Sequence, residues 1–353
     1  AALHDNTTGG DNTAVGKEAL KDNTTGTQNV AIGSQASDAS TTASYGTAVG
    51  FAALGALTTG NSNTALGYAT LAANTTGPSN AAVGNSALTA NTTGTTNTAV
   101  GKDALKANTT GSYNTAVGGS CFEDNTTGSD NTAVGVGALA NNTTGGQNTA
   151  LGTNSFLVNT TGSQNTIVGT NAARLTTTGS RNTALGYAAL EANTTGTNNT
   201  CLGYFAGANI TTGVNNVVIG KDAAASSATV DDEITLGTGA INTLRCQQTS
   251  ITGLSDERDK TDIEDLSIGL DFVNTLRPRK FTWAMREPTR LDGKTETGFI
   301  AQELQSAEGS IGYLGLVMDE NPEKLEAAPA KLIPVLVNAI KELSAKVTAL
   351  EAG

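Results

Sequence analysis

The chain is poor in the residues that build ordinary cores and ordinary active sites. Its 353 residues include 6 prolines, one tryptophan and 4% aromatics, and only 15% are charged, against a usual share of about a quarter. Large apolar side chains are too scarce for a conventional globular core of this length. Disorder fits no better, because low charge with 37% hydrophobic residues is the reverse of the disordered signature. The single histidine, His4, excludes a Ser-His triad in the body of the chain and a His-rich metal site. Cys121, Cys201 and Cys246 lie far apart with no CxxC, so neither a zinc site nor a disulfide framework is expected. No apolar run is long enough to span a bilayer, and no basic segment with an apolar core opens the chain as a signal peptide would. The net charge of −12 denies nucleic acid its basic footprint. No cofactor or metal is expected.

What is abundant is small and periodic. There are 42 glycines, and Ala, Thr and Asn supply much of the rest. Asn12, Asn29, Asn63, Asn80 and onward to Asn216 fall on a 17-residue grid, with Gly46 in the one slot that lacks Asn. Four residues after each comes a glycine, from Gly16 to Gly220, in all thirteen units. The unit reads N-T-A-V-G-x-x-A-L-x-x-N-T-T-G-x-x, and no insertion breaks it.

A 17-residue period is too short for a helical hairpin and does not fit heptads. It suits one coil of a β-solenoid with two short strands and two turns. Equivalent residues then stack at about 4.8 Å, and thirteen coils make a rod about 60 Å long. The Ala-Val-Gly and Ala-Leu pairs are expected to point inward, with Val15, Leu66, Val100 and Ile167 in one ladder and Leu20, Leu105, Phe122 and Phe156 in another. The glycines mark turns where φ is positive or a Cβ would clash. The two Asn columns suit left-handed geometry and cross-turn ladders. Cys121 and Cys201 fall in apolar columns and read as buried small hydrophobes. The many N-T-T triplets are formal glycosylation sequons, but here they follow from the repeat. The chain opens inside a unit, at Ala2-Leu3 and Asn6-Thr7-Thr8-Gly9. An open solenoid end exposes unpaired strand edges, so a longer polypeptide with a preceding N-terminal part is expected.

The N-T-A-x-G…A-x-x…T-G unit resembles a lengthened form of the head repeats of trimeric bacterial adhesins, and similar repeats occur in bacteriophage tail fibres. That resemblance implies left-handed parallel β-rolls, three chains side by side.

Composition changes near residue 226. Pro278, Pro288, Pro322, Pro329 and Pro334, the lone Trp283 and most charges lie in the last third. The expected organisation is a repetitive β-roll shaft over 1–225, a β transition or neck over 226–254, and a small α+β domain over 255–353. In that domain Leu266, Leu270, Val273 and Leu276 suggest a helix, Lys280–Trp283 a strand, and Gly298–Leu304 a strand turning into a helix. Ile333, Leu336, Ile340, Leu343, Val347 and Leu350 form a heptad seam on a helix at about 331–351, with Pro334 confined to its first turn. Ile or Val at a with Leu at d favours two strands. Val337 and Ala339 widen the apolar face enough for a third.

Four motifs, Ser255-Asp256-Glu257-Arg258-Asp259-Lys260, Leu276-Arg277-Pro278…Phe281-Thr282-Trp283, Gly298-Phe299-Ile300-Ala301-Gln302-Glu303 and Ala339-Ile340-Lys341-Glu342-Leu343, resemble the intramolecular chaperone domain of phage endosialidases and tail spikes, also classed as a self-cleaving serine peptidase. The resemblance implies a domain that trimerises, templates the β-stalk before it and cuts itself off. The scissile bond is then Leu254–Ser255, with Ser255 as nucleophile, Lys260 as base and Asp256 orienting the site. Lysine serves as a base only where burial disfavours its charged form, and Asp259 and Asp262 act in the opposite direction. Gln302 and Glu303 match a further motif, with a role at the subunit interface or beside the cut. Without the resemblance, Ser255-Asp256 read as a turn and Thr261…Glu264 as a capping box.

The expected function is therefore a structural segment of a homotrimeric phage tail fibre, extracellular on the virion, with receptor binding as a further role. Its partners would be a host cell-surface receptor of glycan or protein, and other tail proteins through the N-terminal part. It has no nucleic acid partner and inserts in no membrane. The alternative is a bacterial surface adhesin, which should carry a membrane anchor, or a fibre of a contractile injection system. Ice binding is disfavoured because the threonines are adjacent rather than alternating. Glycoside hydrolysis is disfavoured because paired carboxylates are absent from the repeat.

Overall fold

The computed structural model describes residues 1–238, 260–284, 293–309, 311, 314–318 and 325–352. The chain forms two compact units, Ala1–Thr238 and Gly239–Gly353.

The first unit is a parallel β-solenoid. Among the described residues it has fourteen three-residue strands, β1 (Thr13–Val15) through β14 (Ile234–Leu236), one per coil and hydrogen-bonded in sequence order. The register is the sequence period itself, with Thr98 beside Thr115, Ala99 beside Ala116 and Val100 beside Val117. One strand per coil replaces the two expected.

The reason lies in the backbone. Three residues in each coil have left-handed φ, for example Asp103 (57°), Leu105 (49°) and Tyr113 (59°). Each reverses the direction of an N–H group. Asp103 and Tyr113 donate to the preceding coil, at Asn85 O and Thr95 O, both 3.0 Å, while Leu105 donates to the next, at Cys121 O, 3.1 Å. The turns are thus as fully laddered as the strand. Left-handed geometry costs a leucine about 1–2 kcal/mol, and complete burial returns about 1.5–3 kcal/mol. Burial wins, which is why this column holds Leu20, Leu54, Leu88 and Leu105 or the larger Phe122 and Phe156, all buried.

The strand's inward residue is its middle one, because alternate side chains take opposite faces. Ala99, Ala116 and Ala133 are buried there and join one core with Leu105, Phe122 and Phe156. The expectation for the Val column is therefore corrected: Val15, Leu66 and Val100 point outward and are 57%, 38% and 38% exposed. Ile167 is buried because it occupies the alanine slot, not theirs. Cys121 and Cys201 are buried as expected, and burial pushes both thiols up to about 12. They are inert.

Glycine is needed where coils touch. At Gly84 φ is +133°, and a Cβ would lie 2.5 Å from the carbonyl oxygen of Gly101. The two Asn columns form ladders, as expected, but neither is left-handed. In the column before the strand, Asn97 N donates to Asn80 Oδ1 at 3.0 Å, and Asn97 Nδ2 donates to Gly111 O at 2.9 Å. In the second column, Asn108 Nδ2 donates to Asn91 Oδ1 at 2.8 Å and to Gly111 O at 3.0 Å. This second column contains the Asn of the N-T-T sequons. Asn91, Asn108 and Asn125 are fully buried, which closes them to sugar attachment in the folded shaft. Where the column changes residue, to Ser40 after Asn23 and to Ile210 after Asn193, the buried Oδ1 of the preceding Asn has no partner.

The parallel sheet runs past residue 225. In the last rung Glu233 takes the Asn slot, with its N–H donating to Asn216 Oδ1 at 2.9 Å. Its carboxylate accepts the Ser226 N–H at 3.0 Å. The sequence E-I-T-L-G keeps only the glycine and the alternation of the repeat.

Among the described residues, the second unit opens with 260–269, which form neither helix nor strand, and a single helical turn, α1 (Leu270–Val273), followed by antiparallel β15 (Arg279–Thr282) and β16 (Thr295–Gly298). Then come α2 (Ala301–Glu308), the short pair β17 (Val317–Met318) and β18 (Glu326–Ala327), a 3-10 turn over Pro329–Leu332, and α3 (Ile333–Ala352). The strand, the strand-to-helix turn and the last helix agree with the sequence reading. The helix expected across Leu266–Leu276 shrinks to one turn, because Asn338 Nδ2 donates to Leu266 O and Ile268 O, at 2.9 and 3.0 Å, and takes those carbonyls out of helical pairing. No helix follows Thr261, so the capping-box alternative is not realised. Phe272, Leu304, Leu316, Leu332 and Val335 form a small core.

The ladder makes a graded prediction. Asn108→Ala strands Asn91 Oδ1 and removes one of the two bonds of Asn125 Nδ2, which donates to Asn108 at 2.7 Å and to Gly128 O at 3.0 Å. It should cost about 3 kcal/mol. Asn193→Ala removes weaker bonds of 3.2 Å from a residue whose Oδ1 is already unpaired, and should cost roughly half as much. Denaturant midpoints of the two variants test the order; equal losses would contradict the ladder.

Candidate functional site

Leu254, Ser255 and Asp256, the expected scissile bond, nucleophile and orienting residue, lie outside the described residues. Lys260, the expected base, lies ten residues before α1 in a segment without regular secondary structure and is solvent-exposed. Gln302 and Glu303 sit in the first turn of α2, where Gln302 is exposed and Glu303 half-buried.

Glu303 is the centre of the best-defined polar cluster in the second unit. Pro278 keeps Arg277 extended on entry to β15, and β15 pairs with β16 so that Arg279 stands beside Gly298. Two residues after Gly298 the chain turns into α2. That short connection brings Glu303 back over the start of β15. Arg279 Nε donates to Glu303 Oε2 at 2.8 Å and its Nη2 to Glu303 Oε1, while Arg277 Nη1 lies 3.5 Å from the same oxygen. Such a planar fork is strong and directional. The hydrogen bond from Arg279 holds the Glu303 carboxyl below its usual range, with the charges of Arg279 and Arg277 adding to it; Glu303 in turn raises Arg279. The carboxylate also sits at the positive end of a helix. The two arginines were not singled out in the sequence reading. The R-P-R triplet before a strand was the signal.

A second pair stiffens the far end of the hairpin. Trp283 Nε1 donates to Glu296 Oε2 at 3.1 Å, Lys294 lies 2.8 Å from Glu296, and Phe281 meets Trp283 edge to face at 5.2 Å. On the other side of the unit, Glu342 of α3 accepts the Leu270 N–H at 2.7 Å, capping α1. Gly269 lies so close to that carboxylate that a Cβ would overlap it. Asn338 and Glu342 thus tie one face of α3 to its own chain.

The opposite face of α3 is apolar and uncovered. Ile333, Leu336, Ile340, Leu343, Val347 and Leu350 are all exposed, as is Val337. Ala339 does not widen this seam as expected, because it is buried together with Val335. A shallow groove beside Val337 is lined by Asp265, Leu266, Pro334, Asn338 and Lys341, with no convergent catalytic groups. No helix among the described residues is long and apolar enough to cross a membrane.

A family model described as chaperone of endosialidase matches residues 255–313. The matched segment contains Ser255, Lys260, Arg277, Arg279, Gln302 and Glu303, and ends before the terminal helix. No curated protein and no solved structure matches the chain. The match supports a C-terminal intramolecular chaperone domain.

The fork has a pH signature. A lowered carboxyl contributes stability that is present above its unfolded value and lost as pH falls through its folded one. Glu303→Gln should therefore lower the melting temperature of the full chain's second unit at neutral pH. The difference from the parent should vanish in acid, where Glu303 is protonated in both states. A difference that persists unchanged at low pH would contradict the assignment.

Proposed function

We propose that the chain is a segment of a phage tail fibre or tail spike whose C-terminal domain is a trimerisation and folding chaperone in cis, and that this domain releases itself by cutting Leu254–Ser255. One observation carries this reading: a segment matching the chaperone of endosialidase family begins 19 residues after Leu236, the end of the last strand of a long repetitive shaft. The family implies trimeric assembly and a place outside the host cell, on a virion. A receptor-binding role for the shaft, on a glycan or a surface protein, follows from that setting.

The physical need for such a domain lies in the shaft. Thirteen near-identical units offer many nearly equivalent registers, and long-range parallel pairing is slow and prone to aggregation. A globular unit with its own core can form first. Its bare heptad face gives three copies a common start, from which the shafts wind in step. Cutting the domain away afterwards leaves a rod held by its unfolding barrier.

The cut needs no imidazole. The Ser255 hydroxyl attacks the Leu254 carbonyl, Lys260 takes its proton and returns it to the departing Ser255 nitrogen, and water then hydrolyses the ester to free the Leu254 carboxylate. Asp256 orients the nucleophile. Lys260 is exposed in the single chain, so its conversion to a base waits for burial against neighbouring copies. Cleavage then follows assembly. The Arg279–Glu303 fork keeps the hairpin and α2 in place around that event, with Gln302 free to meet a neighbour.

Denaturing mass spectrometry of the full chain and of Ser255→Ala tests the cut. A 255–353 fragment should appear in the parent alone; a parent that stays at its full-length mass would sink the dyad. Deleting 255–353 tests the chaperone. The remaining 1–254 should be insoluble when expressed by itself, and a soluble, folded product would contradict the folding role.

A further inference from the structure

We infer that the shaft carries two saccharide-binding subsites built alike, each taking one pyranose unit of a glycan. The inference rests on the receptor-binding reading above and gives it a place and a ligand class. Both subsites lie in the column that follows the repeat glycine. In each, two exposed rings occupy consecutive coils and a polar pair occupies the third. Phe51 and Tyr68 stack at 5.5 Å and 13°, and Asn85 and Ser86 follow, with Ser86 Oγ donating to Asn85 Oδ1 at 2.9 Å. Tyr187 and Tyr204 stack at 5.4 Å and 16°, and Lys221 and Asp222 follow, paired at 3.0 Å. Phe205 broadens the second cluster, meeting Tyr204 edge to face at 4.8 Å. Phe51 and Tyr187 are 136 residues apart, eight periods of 17, which places the clusters about 38 Å apart along the shaft.

The coil itself does not require these rings. All four lie outside the buried core and are between 44% and 56% exposed. Elsewhere the same column holds Ser34, Gly119 or Thr170, and the lysines Lys17 and Lys102, with side chains 78% and 76% exposed. A column that accepts lysine faces water. Aromatic pairing between neighbouring strands contributes about 0.2–1 kcal/mol. That accounts for two stacked rings, but not for a polar pair in the third coil on both occasions. The backbone ladder fixes the arrangement: Ser86 N donates to Tyr68 O at 2.9 Å, and Asp222 N to Tyr204 O at 2.8 Å.

The chemistry selects the occupant. Near-parallel stacking covers one face of Tyr68 and of Tyr204 and turns the other towards the polar rung. At Tyr204 that face has Lys221 Nζ 6.0 Å from the ring centroid. A ring face is electron-rich and attracts polarised C–H groups. A donor beside an acceptor suits neighbouring hydroxyls. A pyranose offers both surfaces at once, a C–H face and a rim of hydroxyls. A bare anion fits worse, because Asp222 stands beside Lys221. A protein partner is excluded by area: the half-exposed rings of one cluster offer roughly 300 Å², against about 800 Å² per partner in a stable interface. Each subsite is weak alone, and two on one shaft gain by avidity.

Saturation-transfer difference NMR on the full chain tests this, with the methyl glycosides of glucose, galactose, mannose, N-acetylglucosamine and glucuronic acid as probes. At least one glycoside should take up saturation from the parent. Tyr68→Ala with Tyr204→Ala should lower that signal at least fivefold, whereas Tyr68→Phe with Tyr204→Phe should keep it. Tyr113→Ala, which removes an exposed ring outside both clusters, should change nothing. If the ring variants fold poorly, Asn85→Ala with Lys221→Ala leaves the rings in place and should lower the signal at least twofold. Saturation that survives these losses overturns the two subsites and leaves a glycan receptor standing. No saturation of any glycoside by the parent overturns both.

Discussion

Coil-to-coil hydrogen bonding in a fixed 17-residue register governs everything else in the shaft. Backbone N–H groups in the strand and in the turns find their acceptors one coil above or below, so each residue's chief neighbour is its own counterpart. Composition follows from that. Glycine sits where two backbones meet with no room for a Cβ. Asparagine sits where a side-chain amide can satisfy the backbone of the adjacent coil. Threonine at the turn sends its hydroxyl to the next coil, as Thr92 does to Thr109 O at 3.0 Å. One inserted residue would disturb every one of these ladders at once, and the repeat contains none.

The same regularity makes the shaft hard to start. Nothing local distinguishes one coil from the next, and a slip by a whole coil leaves most contacts intact. The second unit has the opposite character. Its core of Phe272, Leu304, Leu316, Leu332 and Val335 is small, and its geometry is fixed by single, unrepeated polar contacts: the Arg279–Glu303 fork, the Asn338 bonds to Leu266 and Ile268, and the Glu342 cap on α1. Those contacts allow one arrangement. The unit also presents an apolar helix face to the outside, as the shaft presents an apolar strip.

Much of this was legible in the sequence because a strict period needs no propensity scale. The solenoid, the roles of the glycines, the buried cysteines, the Asn ladders and the terminal helix all follow from spacing. The inward face did not. Ala-Val-Gly offers two apolar residues in a row, and hydrophobicity favours Val, whereas the pleat puts Ala inside. Left-handed leucines were illegible for a related reason: propensity places that conformation on Gly and Asn, and only burial in the finished coil outweighs the strain. In the second unit, the helix suggested by Leu266, Leu270, Val273 and Leu276 gave way to bonds from Asn338, some 70 residues later in the chain.

By itself, then, the sequence determined the period, the stacking and the resemblance of the C-terminal segment, because each is carried by residues at fixed separations along the chain. The tertiary structure alone decided which apolar column is core and which is surface, and that Arg279 answers Glu303. Those outcomes depend on what lies across the coil or across the hairpin, where side chains distant in sequence compete for one volume or share one proton-binding environment.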